Sequence, residues 1–257
     1  MYLDKILAKH REIARADSRD LDTLVIKSKS CPTPRGFAAR LRKDSVKNLA
    51  VIAEIKRRSP SRGLLNGELD ASSVARNYEH GDASCLSVLT DEDFFGGSVN
   101  DLQLARSAVS IPVLRKDFTV SMHDVCDARI MGADCVLLIA AALTPNELIA
   151  FFNLATEIGL DALIEVHDEK ELTVAIECGA TLIGVNQRDL HTFEVDQQRA
   201  VRMAALIPTN VIRVAESGVK TRDDAQNLRD AGYDAVLVGE SLVTSADISK
   251  SVRELRV

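Results

Sequence analysis

The sequence predicts a single (β/α)8 TIM barrel, class α/β, preceded by an N-terminal helical extension. Three observations predict it. Eight short apolar runs rich in Val, Ile and Leu recur from residue 49 onward. They are near-continuous in hydrophobicity, as strands buried on both faces of a parallel sheet must be. Helically spaced segments separate them at about 26 residues per unit, the size of a β/α module in a closed barrel. An open doubly wound sheet fits less well, because no GxGxxG turn follows the first run.

Residues 1–48 read as the extension, part of the same domain as the barrel of residues 49–257. The extension holds twelve Lys/Arg and six Asp/Glu, a net of +6, so a chain of net −6 leaves −12 for the remainder. Two helical stretches are expected in it, around Asp4–Ala16 and Gly36–Arg42, with Cys31-Pro32-Thr33-Pro34 breaking the chain between them. The strands follow in order: LAVIAEI (49–55), CLSVLT (85–90), IPVLRKD (111–117), CVLLIAA (135–141), ALIEVH (162–167), LIGVN (182–186), VIRVA (211–215) and AVLVGE (235–240). Between them, spacing such as Glu147, Leu148, Phe151, Phe152, Leu154 and Ala155 is helical. Gly132, Gly159, Gly179 and Gly232 each stand where a helix would end in a left-handed cap before the next strand.

Composition narrows the function. The 257 residues are 46% hydrophobic and 27% charged, enough to bury a sizeable core. A net charge of −6, ten aromatic residues and no Trp exclude general nucleic-acid binding, which needs basic stripes and stacking rings. The longest apolar run, Cys135 to Leu143, is far short of the roughly 20 residues that span a bilayer. The start, MYLDKILAKHREIARAD, carries charges throughout and reads as neither leader nor membrane anchor. Five scattered cysteines without a CxxC predict neither a disulfide framework nor a zinc site, and fit reduced thiols in a cytoplasm. No metal ligand set is expected. No long heptad or exposed apolar stripe appears, so a monomer is expected.

In such a barrel the chemistry sits at the C-terminal ends of the strands. Polar residues interrupt the apolar runs there: Glu54, Lys56 and Ser59; Lys116 and Asp117; Glu165 and His167; Asn186 and Arg188; Glu216, Ser217 and Gly218; Gly239 and Glu240. One Lys or Glu at a strand end is ordinarily a solvated rim residue, and Glu54 with Lys56 could be a simple ion pair. Alternation, however, puts both on one face of their strand. Charges aimed into a barrel are costly unless paired or used. Glu54, Lys56, Lys116, Glu165 and Glu216 together therefore read as a catalytic group. Glycines after the seventh and eighth runs allow backbone N–H groups to approach an anion, and Ser59 could add a hydroxyl. Phe94, Phe95 and Phe118, with Leu137 and Ile139, are either core or the lining of an aromatic pocket. His167 reads as a hydrogen-bonded rim histidine.

Taken together, EIKRRSPSRG (54–63), VLTDEDFFGGS (88–98), PVLRKDF (112–118), GADCVLLIAAAL (132–143), IEVHDEKEL (164–172), IGVNQRDLHTFEVD (183–196), AESG (215–218) and VLVGESL (236–242) resemble indole-3-glycerol phosphate synthase, as does PRGF (34–37). The resemblance covers essentially the whole chain. It implies a (β/α)8 barrel of tryptophan biosynthesis, a carboxy-lyase that needs no cofactor. The implied reaction converts 1-(2-carboxyphenylamino)-1-deoxyribulose 5-phosphate into indole-3-glycerol phosphate, CO2 and water. By motif it implies that Lys116 is the general acid on the ketone, that Lys56 binds the carboxylate and shares in proton transfer, and that Glu165 acts in the dehydration. Glu54, Asn186 and Glu216 match positions that hold and polarise these groups. Ser59, Ser217, Gly218, Gly239 and Glu240 match the phosphate site, the last two through backbone N–H, and Arg188 matches a substrate-contacting arginine. Phe95, Phe118, Leu137, Ile139 and Leu190 match the anthranilate pocket. Arg58, Gln187 and Ala215 depart from the usual pattern, at positions without assigned chemistry.

The residue chemistry agrees. Ring closure places charge on a ketone oxygen that must gain a proton, and burial or neighbouring cations would lower a lysine's pKa and sharpen it as a donor. The basic extension would drape over the mouth and favour an anionic substrate. Three rivals use the same barrel: a Schiff-base sugar-phosphate aldolase built on a lysine, an isomerase using Glu165 as base, and a non-catalytic phosphate-ligand-binding barrel. The isomerase would not need both lysines, and a silent barrel would not need to retain Lys56, Lys116 and Glu165.

Overall fold

A computed structural model describes residues 2–59, 62–189 and 192–257. Eight parallel strands close into a barrel in chain order: β1 (Ala50–Ile55), β2 (Cys85–Leu89), β3 (Val113–Lys116), β4 (Cys135–Ile139), β5 (Asp161–Val166), β6 (Leu182–Asn186), β7 (Ile212–Glu216) and β8 (Ala235–Val238), with β8 returning to β1. All eight expected runs are strands. Several stop short of the apolar run, as at β4, where Ala140–Ala142 is a 3-10 turn. A buried turn is as apolar as the strand before it, so composition does not mark the boundary. The pair Arg58–Ser59 with Gly63–Leu64 adds a short antiparallel ladder after β1 that the sequence did not announce.

Alternation sorts each strand's side chains between two cores. Val51, Ala53 and Ile55 of β1 face outward into the layer between barrel and helices, while Ala50 and Ile52 face the interior. The outer layer is built by α4 (Ala71–His80), α5 (Glu92–Phe95), α6 (Val99–Ala108), α7 (Met122–Met131), α8 (Pro145–Glu157), α9 (Glu169–Glu177), α10 (Arg199–Ala204), α11 (Arg222–Asp230), α12 (Glu240–Val243) and α13 (Ile248–Leu255). The glycines expected to end four of the segments take φ values of 75° to 100°, as a left-handed cap requires.

The extension contains three helices rather than two: α1 (Tyr2–Ala16), α2 (Leu21–Lys29) and α3 (Phe37–Ser45). The unexpected α2 is capped by Asp20, whose carboxylate accepts from the Thr23 N–H. It lies on α7, where Ser28 Oγ donates to the Cys126 carbonyl at 3.3 Å. Helix α3 sits beneath the barrel: Phe37 and Leu41 are fully buried in the interior core, and Asp161 at the start of β5 accepts from the Ala38 N–H at 2.9 Å. Helix α1 lies at the opposite end, where Arg11 bonds Glu147 at 2.9 Å and His10 meets Asp91 at 3.0 Å. So α1 does reach the mouth, but its cations are engaged: Lys9 pairs with Asp93, and Arg11 also donates to the Ala142 carbonyl. Part of the extension's positive charge thus serves to dock it on the barrel. No described helix is long and apolar enough to cross a membrane.

Candidate active site

Along the barrel axis the inward-facing residues change character. Low in the barrel they are apolar, including Ile52, Leu114, Leu163, Ile212 and Val214. At the C-terminal ends the same strand phase delivers Glu54, Lys116, Glu165, Asn186 and Glu216. Glu54, Glu165, Asn186 and Glu216 are at most 6% exposed. Lys116 Nζ lies 3.1 Å from Glu165 Oε2 and 3.8 Å from Glu216 Oε2. Asn186 Nδ2 donates to Glu165 Oε1 at 3.0 Å, and its Oδ1 accepts from Ser217 Oγ at 2.8 Å. Lys56, just beyond β1, donates to Glu54 Oε1 at 2.5 Å. All six residues expected to be catalytic thus meet at one mouth.

Two glycines leave room for this cluster. A Cβ on Gly184 would stand 2.1 Å from Glu216 Oε1, and one on Gly239 would stand 2.4 Å from Glu54 Oε1. Neither role was read from the sequence, because the packing partner lies on a different strand.

Crowding sets the protonation states. Burial and the charges of Glu165 and Glu54 push the Glu216 carboxyl up to about 8, against the pull of Lys116. Glu165 goes the other way: burial raises it, but Lys116, His167 and the Asn186 amide outweigh burial and hold it well below the usual carboxylate range. The expectation of a lowered lysine pKa is not met. Burial does lower Lys116, but Glu165, Glu216 and Glu54 more than compensate and leave it above the ordinary lysine value. His167 is more than a rim residue. Its Nε2 is 3.4 Å from Glu165 Oε1 and its Nδ1 is 3.1 Å from Glu171 Oε2. Burial pulls its pKa down, yet these two carboxylates push it up to about 9.

Phe95, Phe118, Leu137 and Ile139 line one apolar hollow of about 60 Å³, together with Glu54, Lys56 and Lys116. The rings of Phe95 and Phe118 are tilted with centroids 6.2 Å apart. Phe94 is not among the residues lining this hollow, and its backbone carbonyl accepts from Arg58 Nε at 3.1 Å. Leu190 lies outside the described residues. A larger cleft of about 710 Å³ opens at the ends of β7 and β8, lined by Arg188, Ser217, Gly218, Gly239 and Glu240. Ser217 has φ 66°, unusual for a residue with a Cβ, and Gly218 follows with φ 81°. Gln187 Nε2 braces that turn by donating to the Ser217 carbonyl at 2.7 Å. Ser59 is buried in the short ladder after β1 and is not among the described residues lining this cleft. Arg62 and Lys220 do line it and were missed. Arg62 also pairs with Glu240 at 3.1 Å, so the Glu240 side chain has a partner beyond its backbone N–H. The cationic RRSPSR stretch was the available signal for Arg62.

His10, Asp91 and Asp117 converge closely enough to suggest a metal site. Their lone pairs are committed to protein donors instead: Arg115 bonds Asp117 at 3.0 Å, and Asp91 caps α5 by accepting from the N–H groups of Phe94 and Phe95. The group ties α1 to the loops after β2 and β3.

Comparisons with known proteins agree with this geometry. Solved structures of low identity share the fold alone. A thiamine phosphate pyrophosphorylase from Pyrococcus furiosus aligns with a TM-score of 0.61 at 16% identity, over 82% of this chain and 95% of that one. An N-acetylmannosamine-6-phosphate 2-epimerase from Clostridium perfringens gives 0.59 at 13%, over 77% and 90%. Sequence relatives are much closer. Indole-3-glycerol phosphate synthases from Chloroherpeton thalassium and Chlorobium phaeovibrioides are 47% and 46% identical over 95% and 96% of both chains. One from Rhodopirellula baltica is 43% identical over 98% of both chains. The family model for indole-3-glycerol phosphate synthase matches residues 3–255, spanning the charged mouth, the cleft and nearly all of the extension. With cluster, barrel and full-length match in agreement, the chain belongs to the indole-3-glycerol phosphate synthase family.

Proposed function

We propose that this chain closes the indole ring of 1-(2-carboxyphenylamino)-1-deoxyribulose 5-phosphate, with loss of CO2 and water, in tryptophan biosynthesis. The observation that carries the reading is Lys116. It is a lysine held protonated between Glu165 and Glu216, at the edge of an aromatic hollow and across the mouth from an anion-sized cleft. In this reading the carboxyphenyl ring enters between Phe95, Phe118, Leu137 and Ile139. The phosphate meets Ser217, Gly218, Gly239 and Glu240, with Arg62 and Lys220 adding positive charge. Arg188, on the cleft wall, serves as a further substrate contact.

The chemistry then follows from the charges. Carbon–carbon bond formation turns the ketone oxygen into an alkoxide, a stronger base than a lysine amine. Lys116 therefore delivers its proton downhill despite its raised pKa. Lys56 pairs with the substrate carboxylate, displacing its contact with Glu54, and Glu54 holds the Lys56 side chain in place until then. Glu165, held as a carboxylate by Lys116 and Asn186, takes the proton released from the carbon beside nitrogen and passes it to the departing hydroxyl, which leaves as water, so Glu165 ends as a carboxylate. Glu216, pushed up to about 8, stays largely protonated at neutral pH and limits the negative charge around Lys116.

A lysine held cationic is a poor amine nucleophile, which disfavours a Schiff-base aldolase. The free, buried thiols of Cys85, Cys126 and Cys135 support a reducing cytoplasm as the setting. The exposed large apolar side chains come singly from different helices and loops, which supports a monomer. Purified protein mixed with this substrate should show rising indole fluorescence, and borohydride should trap no covalent adduct. Absence of the fluorescent product, or a borohydride-trapped adduct on Lys56 or Lys116, would overturn the assignment.

A further inference from the structure

The reaction proposed above has a proton balance that the mouth alone does not meet. The substrate carboxylate leaves as CO2, and the ketone oxygen leaves as water. That oxygen gains two protons, while the carbon beside nitrogen returns one. Each turnover therefore consumes one proton from solvent. The site begins with that proton on Lys116 and ends without it. A route that does not pass through the mouth would let Lys116 recharge while substrate or product still occupies it.

We propose that His167 is that way in: a relay that reprotonates Lys116 through Glu165. The four side chains stand in line at contact distance, with the middle contact at ion-pair range. Lys116 Nζ is 3.1 Å from Glu165 Oε2, Glu165 Oε1 is 3.4 Å from His167 Nε2, and His167 Nδ1 is 3.1 Å from Glu171 Oε2. His167 Nε2 is buried and has no hydrogen-bond partner among the described residues, so its contact with Glu165 must tighten for a proton to pass. Its other side lines a solvent-open cleft of about 350 Å³, separate from the substrate clefts, at the start of α9. The charged groups of that cleft are Asp168, Glu169 and Lys170 on the His167 side and Arg199 and Arg202 on α10. Glu171 and Glu165 face the ring directly and hold it as an imidazolium at neutral pH.

The transfer balances. Imidazolium Nε2 gives its proton to Glu165 Oε1. The carboxyl group turns and releases that proton from the other side to the neutral Lys116 amine. Glu165 ends as a carboxylate, Lys116 as an ammonium, and His167 as a neutral imidazole that keeps its Nδ1 proton and donates it to Glu171. A turn of the ring brings the vacant nitrogen to the cleft, where water restores the proton. His167 acts through Glu165 and touches no reacting atom, so it is a positioning and relay group rather than a catalytic one.

This inference rests on the proposed function, and one experiment separates the two. With enzyme in excess over substrate, only the first turnover is seen, and it starts with Lys116 already charged. His167→Gln should run that first turnover within about twofold of wild type, while its steady-state kcat falls by about tenfold or more with KM little changed. Imidazole added to His167→Ala should restore steady-state turnover. Glu171→Gln, which keeps the histidine but loosens its hold on the proton, should show the same split more weakly and serves if the His167 variants fail to fold. Equal slowing in both regimes would mean a structural role, and no slowing in either would mean Lys116 recharges directly through the mouth; each overturns the relay. A wild-type enzyme that makes no product would instead sink the function itself.

Discussion

The lower and upper halves of this barrel are built by the same strands in the same phase, yet they do opposite things. Below, inward positions such as Ile52, Leu114 and Leu163 pack around Phe37 and Leu41, which α3 inserts as a plug. Above, the next inward positions are Glu54, Lys116 and Glu165. Two residues along a strand separate an apolar interior from a cluster of buried charge. The lower half gains from burial at about 25 cal/mol per Å² of apolar area. The upper half pays desolvation and recovers it only through mutual pairing. The division locates stability at one end and chemistry at the other, and it can be broken by substitution.

The largest expected effect is at the top. Lys116→Ala should lower kcat by about 10³-fold or more, the scale of a lost general acid with its electrostatic contribution. The thermal midpoint should move little, because Glu165 and Glu216 can relax by taking up protons. A loss of folding matching the loss of activity would show that the charged layer is structural after all. At the bottom the pattern should invert. Phe37→Ala removes a fully buried ring from the plug and should cost about 3–5 kcal/mol of stability. At a temperature where both proteins stay folded, kcat should be unchanged, and a matching fall in kcat would erase the distinction between the halves.

Much of this was legible in the sequence because strand alternation is a strict rule. Once the eight apolar runs are aligned, the phase that buries Leu114 also turns Lys116 inward, and the phase that buries Leu163 also turns Glu165 inward. Helix α2 was harder. Its apolar residues are Leu21, Leu24, Val25 and Ile26, of which Leu24 is buried, Leu21 and Val25 are only partly buried against the core and Ile26 is exposed, a stripe of two short turns. The amphipathic rhythm is therefore weak, and the Asp20 cap was the better signal. The pKa of Lys116 was not legible at all. Its direction depends on three carboxylates from three other strands, and only the closed barrel sets their distances. The same holds for Arg62 and Lys220, which reach the cleft from separate loops.

A smaller effect tests how tightly the charged layer is fitted. Gly184→Ala places a methyl group where Glu216 Oε1 now lies, so the carboxyl must move. Overpacking of this kind costs about 1–3 kcal/mol. Displacing Glu216 from Lys116 should also lower kcat by about tenfold or more, since misplacement by an ångström at a catalytic cluster is expensive. Full activity in this variant would show that Glu216 is a bystander.

The subtlest consequence is in the pH dependence of stability. Glu216 is raised to about 8 in the folded protein, against an ordinary glutamate value when unfolded. Between those values the native state holds a proton that the unfolded chain has released. Stability from this group is therefore complete below the unfolded pKa and is lost as pH rises towards 8, at up to about 1.4 kcal/mol per pH unit. Glu216→Gln keeps a neutral side chain of the same shape and removes the titration. Thermal midpoints measured from pH 5 to pH 8 should fall less steeply in the variant than in wild type. Identical slopes would mean that Glu216 is already ionised in the resting site. Three carboxylates would then share the mouth with Lys56 and Lys116, and the upper half would hold itself together by ion pairing alone.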